Sequence, residues 1–187
     1  MQFVTGTASM LSPDSMTGVA RYRQKVFVEK LGWQLRCENG LEYDQFDRDD
    51  TIYVVAQNSD GDVIGTARLL PKTRPYLLSE VFSKLLNGLD ATCPSDVWEL
   101  SRFAADNFNL NSTSALGQFS SEIAVELLTN SLSCAARHCA KRVITVSPFC
   151  IARLLRKVGF LSHRVGLPVI YSGQPIFACS INCTTVT

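Results

Sequence analysis

The chain has 187 residues, 46% of them hydrophobic and 19% charged, enough apolar material to bury one sizeable core in a single domain spanning residues 1–187. Eighteen Lys and Arg against 17 Asp and Glu leave a net charge of +1. No global field therefore draws in nucleic acid or an anionic membrane, and an acidic partner has to be met by a local patch. No run approaches the roughly 18 apolar residues of a bilayer span, and the N-terminus lacks the charged-then-apolar pattern of an export signal, so a soluble cytoplasmic protein is expected.

In chain order, Val19, Tyr22, Val26, Phe27 and Leu31 recur at helical spacing among charges, predicting an amphipathic helix from Ser15 to Trp33 that ends near Gly32. Residues 37 to 50 (CENGLEYDQFDRDD) are polar and acidic, too hydrophilic for a core element, and read as a functional loop. Two strand-like runs follow, 51 to 57 and 63 to 70, joined through the hairpin signal Asp60-Gly61. Ser79 is the expected cap of a short helix that stops at Gly88. Residues 97 to 105 (VWELSRFAA) predict a strand, unusual in carrying charge on both faces. A helix is expected over 118 to 141, a buried strand over 142 to 147, a helix opened by Pro148 and ended by Gly159, and a C-terminal hairpin. This order implies an α/β fold, a mixed β-sheet with helices on its faces in three layers.

Seven cysteines with no C-x-x-C pair argue against a disulfide framework. Cys134, His138 and Cys139 share one helical stretch, but no second ligand pair accompanies them, so core packing rather than a metal site is expected. The sequence contains no G-x-S-x-G, no P-loop and no G-x-G-x-x-G. What does not suit a bland core is a set of embedded charges: Arg68 in VIGTARLL, and Glu99 and Arg102 in VWELSRFAA. A buried unpaired charge costs several kcal/mol, so each needs a partner or a solvated cleft. Asp44 and Asp47 supply candidates, and the residues alone leave open whether the network pins a loop or forms a catalytic cleft.

The spaced anchors Arg23-x-x-x-Phe27, Trp33, Asp44-Gln45-Phe46-Asp47, Gly65-Thr66-Ala67-Arg68-Leu69-Leu70-Pro71 and Trp98-Glu99-Leu100-Ser101-Arg102-Phe103 resemble the LuxI-type autoinducer synthases. The resemblance is in register over roughly residues 20 to 105 and looser beyond. It implies a fold similar to the GCN5-related N-acetyltransferases, with a V-shaped gap between two strands that admits a thioester arm. Those acetyltransferases usually carry an [RQ]-x-x-G-x-[GA] loop for coenzyme A pyrophosphate, and this sequence contains none, which suits an acyl carrier protein as donor.

The resemblance further implies acylation of the amine of S-adenosylmethionine and then lactonisation with release of methylthioadenosine, with no prosthetic group and no metal. On it, Glu99 is the base that takes the amine proton, with a structural partnership to Arg68 or Arg102 as the alternative. Arg68, Arg102 and Asp47 join Glu99 in the catalytic set. Arg23, Phe27, Trp33, Asp44 and Phe103 are the expected S-adenosylmethionine contacts. Ser101, Phe82, Thr145 and Ser147 are expected to line the acyl pocket, for an octanoyl or hexanoyl chain. Arg153, Arg156 and Lys157 are candidates for docking the acidic carrier, although a charged helix face is usually just solvated. An acyl-CoA N-acyltransferase acting on another amine and a non-catalytic acyl-ligand sensor are the competing readings.

Overall fold

A computed structural model of the chain describes residues 1–86, 95–106, 108, 121–148, 155, 159–171 and 174–185. By contact density it divides into two compact units, the first formed by Met1–Arg68 and Arg102–Asn130, the second by Leu69–Ser101 and Ser131–Thr187.

In the first unit β1 (Gln2–Gly6), which has no signature in the sequence reading, pairs antiparallel with β4 (Ile52–Gln57) from Gln2↔Gln57 to Gly6↔Tyr53. The polar stretch expected to be loop contains a two-residue hairpin, β2 (Cys37–Glu38) with β3 (Leu41–Glu42). Its turn is Asn39-Gly40, at φ +54° and +74°, the backbone that a tight hairpin with matching twist requires and that this dipeptide adopts readily. β4 neighbours β5 (Val63–Pro71), which neighbours β6 (Val97–Ala105). A side chain on Gly65 of β5 would press on the Ala104 carbonyl, Ala56 and Leu127, each 3.3 Å from its Cβ, so the close strand packing depends on glycine there.

The first helix differs from its expected form. Ser12 caps it by accepting from the Ser15 N–H at 3.1 Å, Pro13 occupies the first turn, and α1 is α-helical over Pro13–Arg23. The chain then widens into a π-helical stretch, Gln24–Lys30. It ends as the Trp33 N–H donates to the Phe27 carbonyl at 2.8 Å, with Gly32 at φ +70°. Hydrophobic spacing reports which face is buried, and it cannot distinguish an i−4 from an i−5 hydrogen-bond pattern over two turns. Val19 packs with Leu11, Tyr53 and Val55, while Tyr22, Val26 and Phe27 pack with Ala104.

In the second unit β6 runs parallel to β7 (Arg142–Pro148) from Val97↔Arg142 to Leu100↔Thr145. β7 lies antiparallel to β10 (Gln174–Thr185), which also takes β8 (Phe160–Arg164) and β9 (Val169–Tyr171), so the sheet is mixed as expected. The expected C-terminal hairpin is β9–β10, with Tyr171 opposite Gln174. The helix α2 (Leu77–Glu80) starts at Leu77, and Ser79 sits inside it, its hydroxyl accepting from the Tyr76 N–H at 3.3 Å and donating to the Tyr76 carbonyl at 2.8 Å. The cap expected at Ser79 is thus displaced: a carboxylate from β6 takes the helix's first N–H groups. Gly88 and most of the helix expected after Pro148 lie outside the described residues.

The helix α3 (Glu122–Arg137) runs through both units and buries Ala124, Leu127 and Leu128 in the first and Ser131, Leu132 and Ala135 in the second. That spacing of three and four is the helical stripe read from the sequence. It ends in a Schellman closure, with the Cys139 N–H donating to the Ala136 carbonyl and the Ala140 N–H to the Ala135 carbonyl, both at 3.0 Å. His138 lies against the Trp98 ring at 5.5 Å between centroids, within the second unit. Among the described residues no helix is long and apolar enough to cross a membrane.

Candidate active site

The charges that look out of place in the strands close into a ring in the first unit. Arg68, on β5, donates from Nη1 to Asp44 Oδ1 at 2.6 Å and to Asp47 Oδ1 at 3.1 Å, and from Nη2 to Asp44 Oδ2 at 3.1 Å. Arg23, at the end of α1, donates from Nη1 and Nη2 to the two Asp47 oxygens at 2.8 and 3.1 Å and from Nε to Glu42 Oε2 at 2.5 Å. Arg102, on β6, donates from Nη2 to Glu42 Oε1 at 2.9 Å and to Asp44 Oδ2 at 2.8 Å, and from Nε to Glu42 Oε2 at 3.3 Å. Read around the circle, the order is Arg23, Glu42, Arg102, Asp44, Arg68, Asp47 and back to Arg23. Each guanidinium bridges two carboxylates and each carboxylate bridges two guanidiniums, so six charges sum to zero without leaving one unpaired.

Each member has a local reason for its place. The Asp44–Asp47 turn is tied by the Phe46 N–H donating to Asp44 Oδ1 and the Asp44 N–H to Asp47 Oδ2, both at 2.8 Å. The Tyr53 hydroxyl donates to Asp47 Oδ1 at 2.9 Å. Arg102 sits at φ +48°, a left-handed backbone inside a strand, which locally breaks the alternation of side chains and brings its guanidinium onto Glu42 and Asp44. The sequence reading of β6 as strictly alternating, with Arg102 opposite Glu99, misses this because positive φ at an arginine has no sequence signature.

Electrostatics follow from burial. Arg23 and Arg68 are fully buried, and the Asp44 side chain, at 15% exposed, is the most accessible of the six. Burial pushes the Asp47 carboxyl up, but the guanidiniums of Arg23 and Arg68 and the hydrogen bonds outweigh it and hold it well below the usual carboxylate range. Burial works against the Arg23 cation, and Asp47 and Glu42 more than restore it. The Tyr53 phenol is raised by burial and by the Asp47 charge, so it stays a donor.

Of the expected S-adenosylmethionine contacts, Arg23 and Asp44 are in the ring. Phe27 stacks on Trp33 at 4.9 Å with 22° between the planes, and the Arg102 guanidinium lies 5.7 Å from the Phe27 centroid. Trp33 is 45% exposed, and an indole that is stacked on one face and open on the other can receive a flat ring. Phe103 is half-buried on β6. Glu42, which joins two of the arginines, was not anticipated. The signal that points to it is the Asn39-Gly40 turn, which sets Glu42 opposite Cys37 in a fixed register.

In the second unit Glu99 is buried, and its two carboxylate oxygens accept the Leu77 N–H at 2.8 Å and the Leu78 N–H at 2.7 Å. It thereby caps α2, a partnership the sequence does not announce. Ser101 is buried on β6 and Thr145 on β7, where it pairs with Leu100, and Phe82 meets Tyr171 edge to face at 5.1 Å. The Ser147 backbone pairs with Phe177, and its side chain lies outside what is described. Arg153, Arg156 and Lys157 also lie outside the described residues.

With that geometry in hand, comparison with known proteins decides the family. Residues 8–186 match the autoinducer synthase family. The chain belongs to it. An acyl-homoserine-lactone synthase of Acinetobacter nosocomialis is 45% identical over 182 residues, covering 97% of this chain and 100% of that one. The crystal structure of TofI in a ternary complex with an inhibitor and MTA shares 40% identity at a TM-score of 0.82, covering 98% of this chain and 92% of that one. BjaI, a CoA-dependent acyl-homoserine lactone synthase solved with SAM and isopentyl-CoA, shares 26% identity at a TM-score of 0.80, covering 97% and 82%. At 16% identity and a TM-score of 0.63, covering 96% of this chain and 97% of that one, an acyl-CoA N-acyltransferase from Pseudomonas aeruginosa shows a shared fold. The chain is thus an autoinducer synthase, an acyltransferase of mixed α/β fold like that of the GCN5-related N-acetyltransferases.

Proposed function

We propose that this synthase transfers an acyl group from an acyl carrier protein thioester to the amine of S-adenosylmethionine and then closes the lactone. The observation that carries this reading is the neutral ring of three guanidiniums and three carboxylates beside the Phe27–Trp33 stack. S-adenosylmethionine presents a carboxylate, an ammonium and a sulfonium next to a flat base. The ring offers each of those charges an opposite one at no net cost in protein charge. Arg23 and Arg102 take the carboxylate, Asp44 and Asp47 face the cationic groups with Arg68 holding them, and Phe27, Trp33 and Phe103 wall the nucleoside.

In the first step the amine nitrogen bonds to the acyl carbon, the carbon–sulfur bond breaks, and the amine proton passes to Glu99 and on to the leaving thiolate. An α-amine with a reference pKa near 7.7–8.0 is only partly neutral at physiological pH, so a carboxylate acceptor accelerates this step. The two N–H groups that Glu99 accepts from Leu77 and Leu78 hold its carboxylate in a fixed orientation, from which we assign it the amine proton, directly or through an intervening water. In the second step the substrate carboxylate attacks its own γ-carbon, and the sulfonium leaves as neutral methylthioadenosine. The chief requirement there is a folded substrate, which opposite charges at both ends enforce.

The acyl chain is assigned to the second unit, among Phe82, Ser101, Thr145 and Ser147, entering where the β6–β7 parallel register ends at Leu100↔Thr145. A hexanoyl or octanoyl group is our reading, and mixtures are expected because one methylene is worth about 1–3 kcal/mol of discrimination. The carrier docks on the basic run Arg153, Arg156 and Lys157, together with Arg137, Lys141 and, at the start of the preceding strand-like run 142 to 147, Arg142. Because BjaI is CoA-dependent, the donor is settled by comparing acyl carrier protein with acyl-CoA at equal concentration. Thiol release and methylthioadenosine should appear in equal amounts, with kcat/KM higher for the carrier thioester. Thiol release without methylthioadenosine identifies an acyl-CoA N-acyltransferase for another amine; saturable binding without thiol release identifies a sensor.

Glu99→Gln should lower thiol release by about 10²–10⁴-fold, the usual worth of a positioned base. It also leaves one of the two α2 N–H groups facing an amide NH₂, so the unfolding midpoint should drop by the equivalent of about 1–3 kcal/mol. Wild-type turnover in that variant would remove Glu99 from the chemistry and leave it as a helix cap.

A further inference from the structure

Resting on the S-adenosylmethionine reading, we infer that Glu42 is a positioning residue, one that fixes the Arg102 guanidinium as the receptor for the substrate carboxylate. Arg102 has two partners in the ring, and they hold it differently. Glu42 grips it through both oxygens, Nη2 to Oε1 at 2.9 Å and Nε to Oε2 at 3.3 Å, whereas Asp44 holds it at one point, Nη2 to Oδ2 at 2.8 Å. A two-point grip sets the plane of a guanidinium; a one-point contact sets a distance. The Glu42 side chain is 1% exposed and Asp44 is 15% exposed. An incoming substrate therefore reaches Asp44 before it reaches Glu42.

Glu42 is itself held from two directions. It closes a hairpin whose Asn39-Gly40 turn leaves no slack in register. Its Oε2 also accepts Arg23 Nε at 2.5 Å, from the end of α1. Arg102, in contrast, has a left-handed backbone at φ +48°, a conformation that a non-glycine residue keeps when its surroundings impose it. Its remaining nitrogen, Nη1, has no partner among the described residues and is a donor for a second anion. The substrate ammonium draws Asp44 away, the substrate carboxylate takes its place on Arg102, and Glu42 keeps the guanidinium plane unchanged through the exchange. The ring is thus a permanent half, Arg23–Glu42–Arg102, and an exchangeable half that turns on Asp44.

The full chain carrying Glu42→Gln, Glu42→Asp or Arg102→Lys, and the Glu42→Gln/Arg102→Lys pair, is assayed by methylthioadenosine release with each substrate varied in turn. Glu42→Gln should raise KM for S-adenosylmethionine about tenfold, the scale of one lost hydrogen bond to a charged group, and leave KM for the acyl thioester unchanged. The double variant should show less than the product of the single effects on kcat/KM for S-adenosylmethionine, because both remove one grip. Should Glu42→Gln fail to fold, Glu42→Asp keeps the charge but withdraws the carboxylate by one methylene, and it should raise the same KM. An unchanged KM for S-adenosylmethionine in the folded variants, or a fall in kcat that tracks lost folded protein with both KM values intact, overturns the role. If the wild-type chain releases no methylthioadenosine from S-adenosylmethionine, the substrate reading fails, and that outcome is separate from any result on Glu42.

Discussion

At the scale of single residues, Asp47 is the member of the ring that ties stability to pH. Its folded-state carboxyl is held well below the unfolded value by Arg23 and Arg68 against the opposing effect of burial. A depressed folded pKa contributes stability that is fully present above the unfolded pKa, near 3.9 for an aspartate, and is lost as pH falls through that value toward the folded one. The urea midpoint should therefore be flat from pH 7 to about 5 and fall below about pH 4. Asp47→Asn should weaken that acid dependence while costing about 3–5 kcal/mol at neutral pH, because it leaves buried guanidiniums under-paired. The misplaced charges Arg68 and Arg102 are legible in the sequence as residues that need partners. Which carboxylate each one meets is not, since that depends on a hairpin turn and a positive φ that bring distant segments together.

Among the elements, the end of α3 carries a testable strain. Cys139 sits at φ +64° in the Schellman position, where glycine is the usual residue. Cys139→Gly removes the Cβ conflict of a left-handed residue, about 1–2 kcal/mol, and gives back part of it as extra freedom of the unfolded chain. A net gain of about 0.5–1 kcal/mol is expected, read as a rise in Tm of about 2 °C. The strands β4, β5 and β6 are legible as short, mostly apolar runs buried on both faces, β7 as a similar run, and the helix α3 by the 3.6-residue stripe that burial imposes on a long segment. β1 and the β2–β3 hairpin are not, being short or polar, and the π-helical stretch after Arg23 looks like plain helix to any reading of spacing. Asn39-Gly40 is the exception, a turn signal lying inside the stretch expected to be loop.

For the whole molecule, a net charge of +1 leaves no long-range field to steer an acidic carrier protein. The proposed docking would therefore rest on a local basic patch, and local ion pairs at a surface are screened by salt. On that proposal, KM for the acyl carrier protein should rise several-fold between low salt and about 0.5 M, while KM for S-adenosylmethionine, assigned above to the buried ring, should change little. Arg156→Glu with Lys157→Glu should raise the carrier KM alone; unchanged kinetics would remove those residues from the proposed interface. By itself the sequence determined the fold class, the family and the identity of the charged residues, because hydrophobic period and anchor spacing are one-dimensional properties. Tertiary structure decided that the charges close into a neutral ring, that Glu42 completes it and that Glu99 caps a helix. Those are properties of directions and distances between segments far apart in the chain, and no spacing along the sequence encodes them.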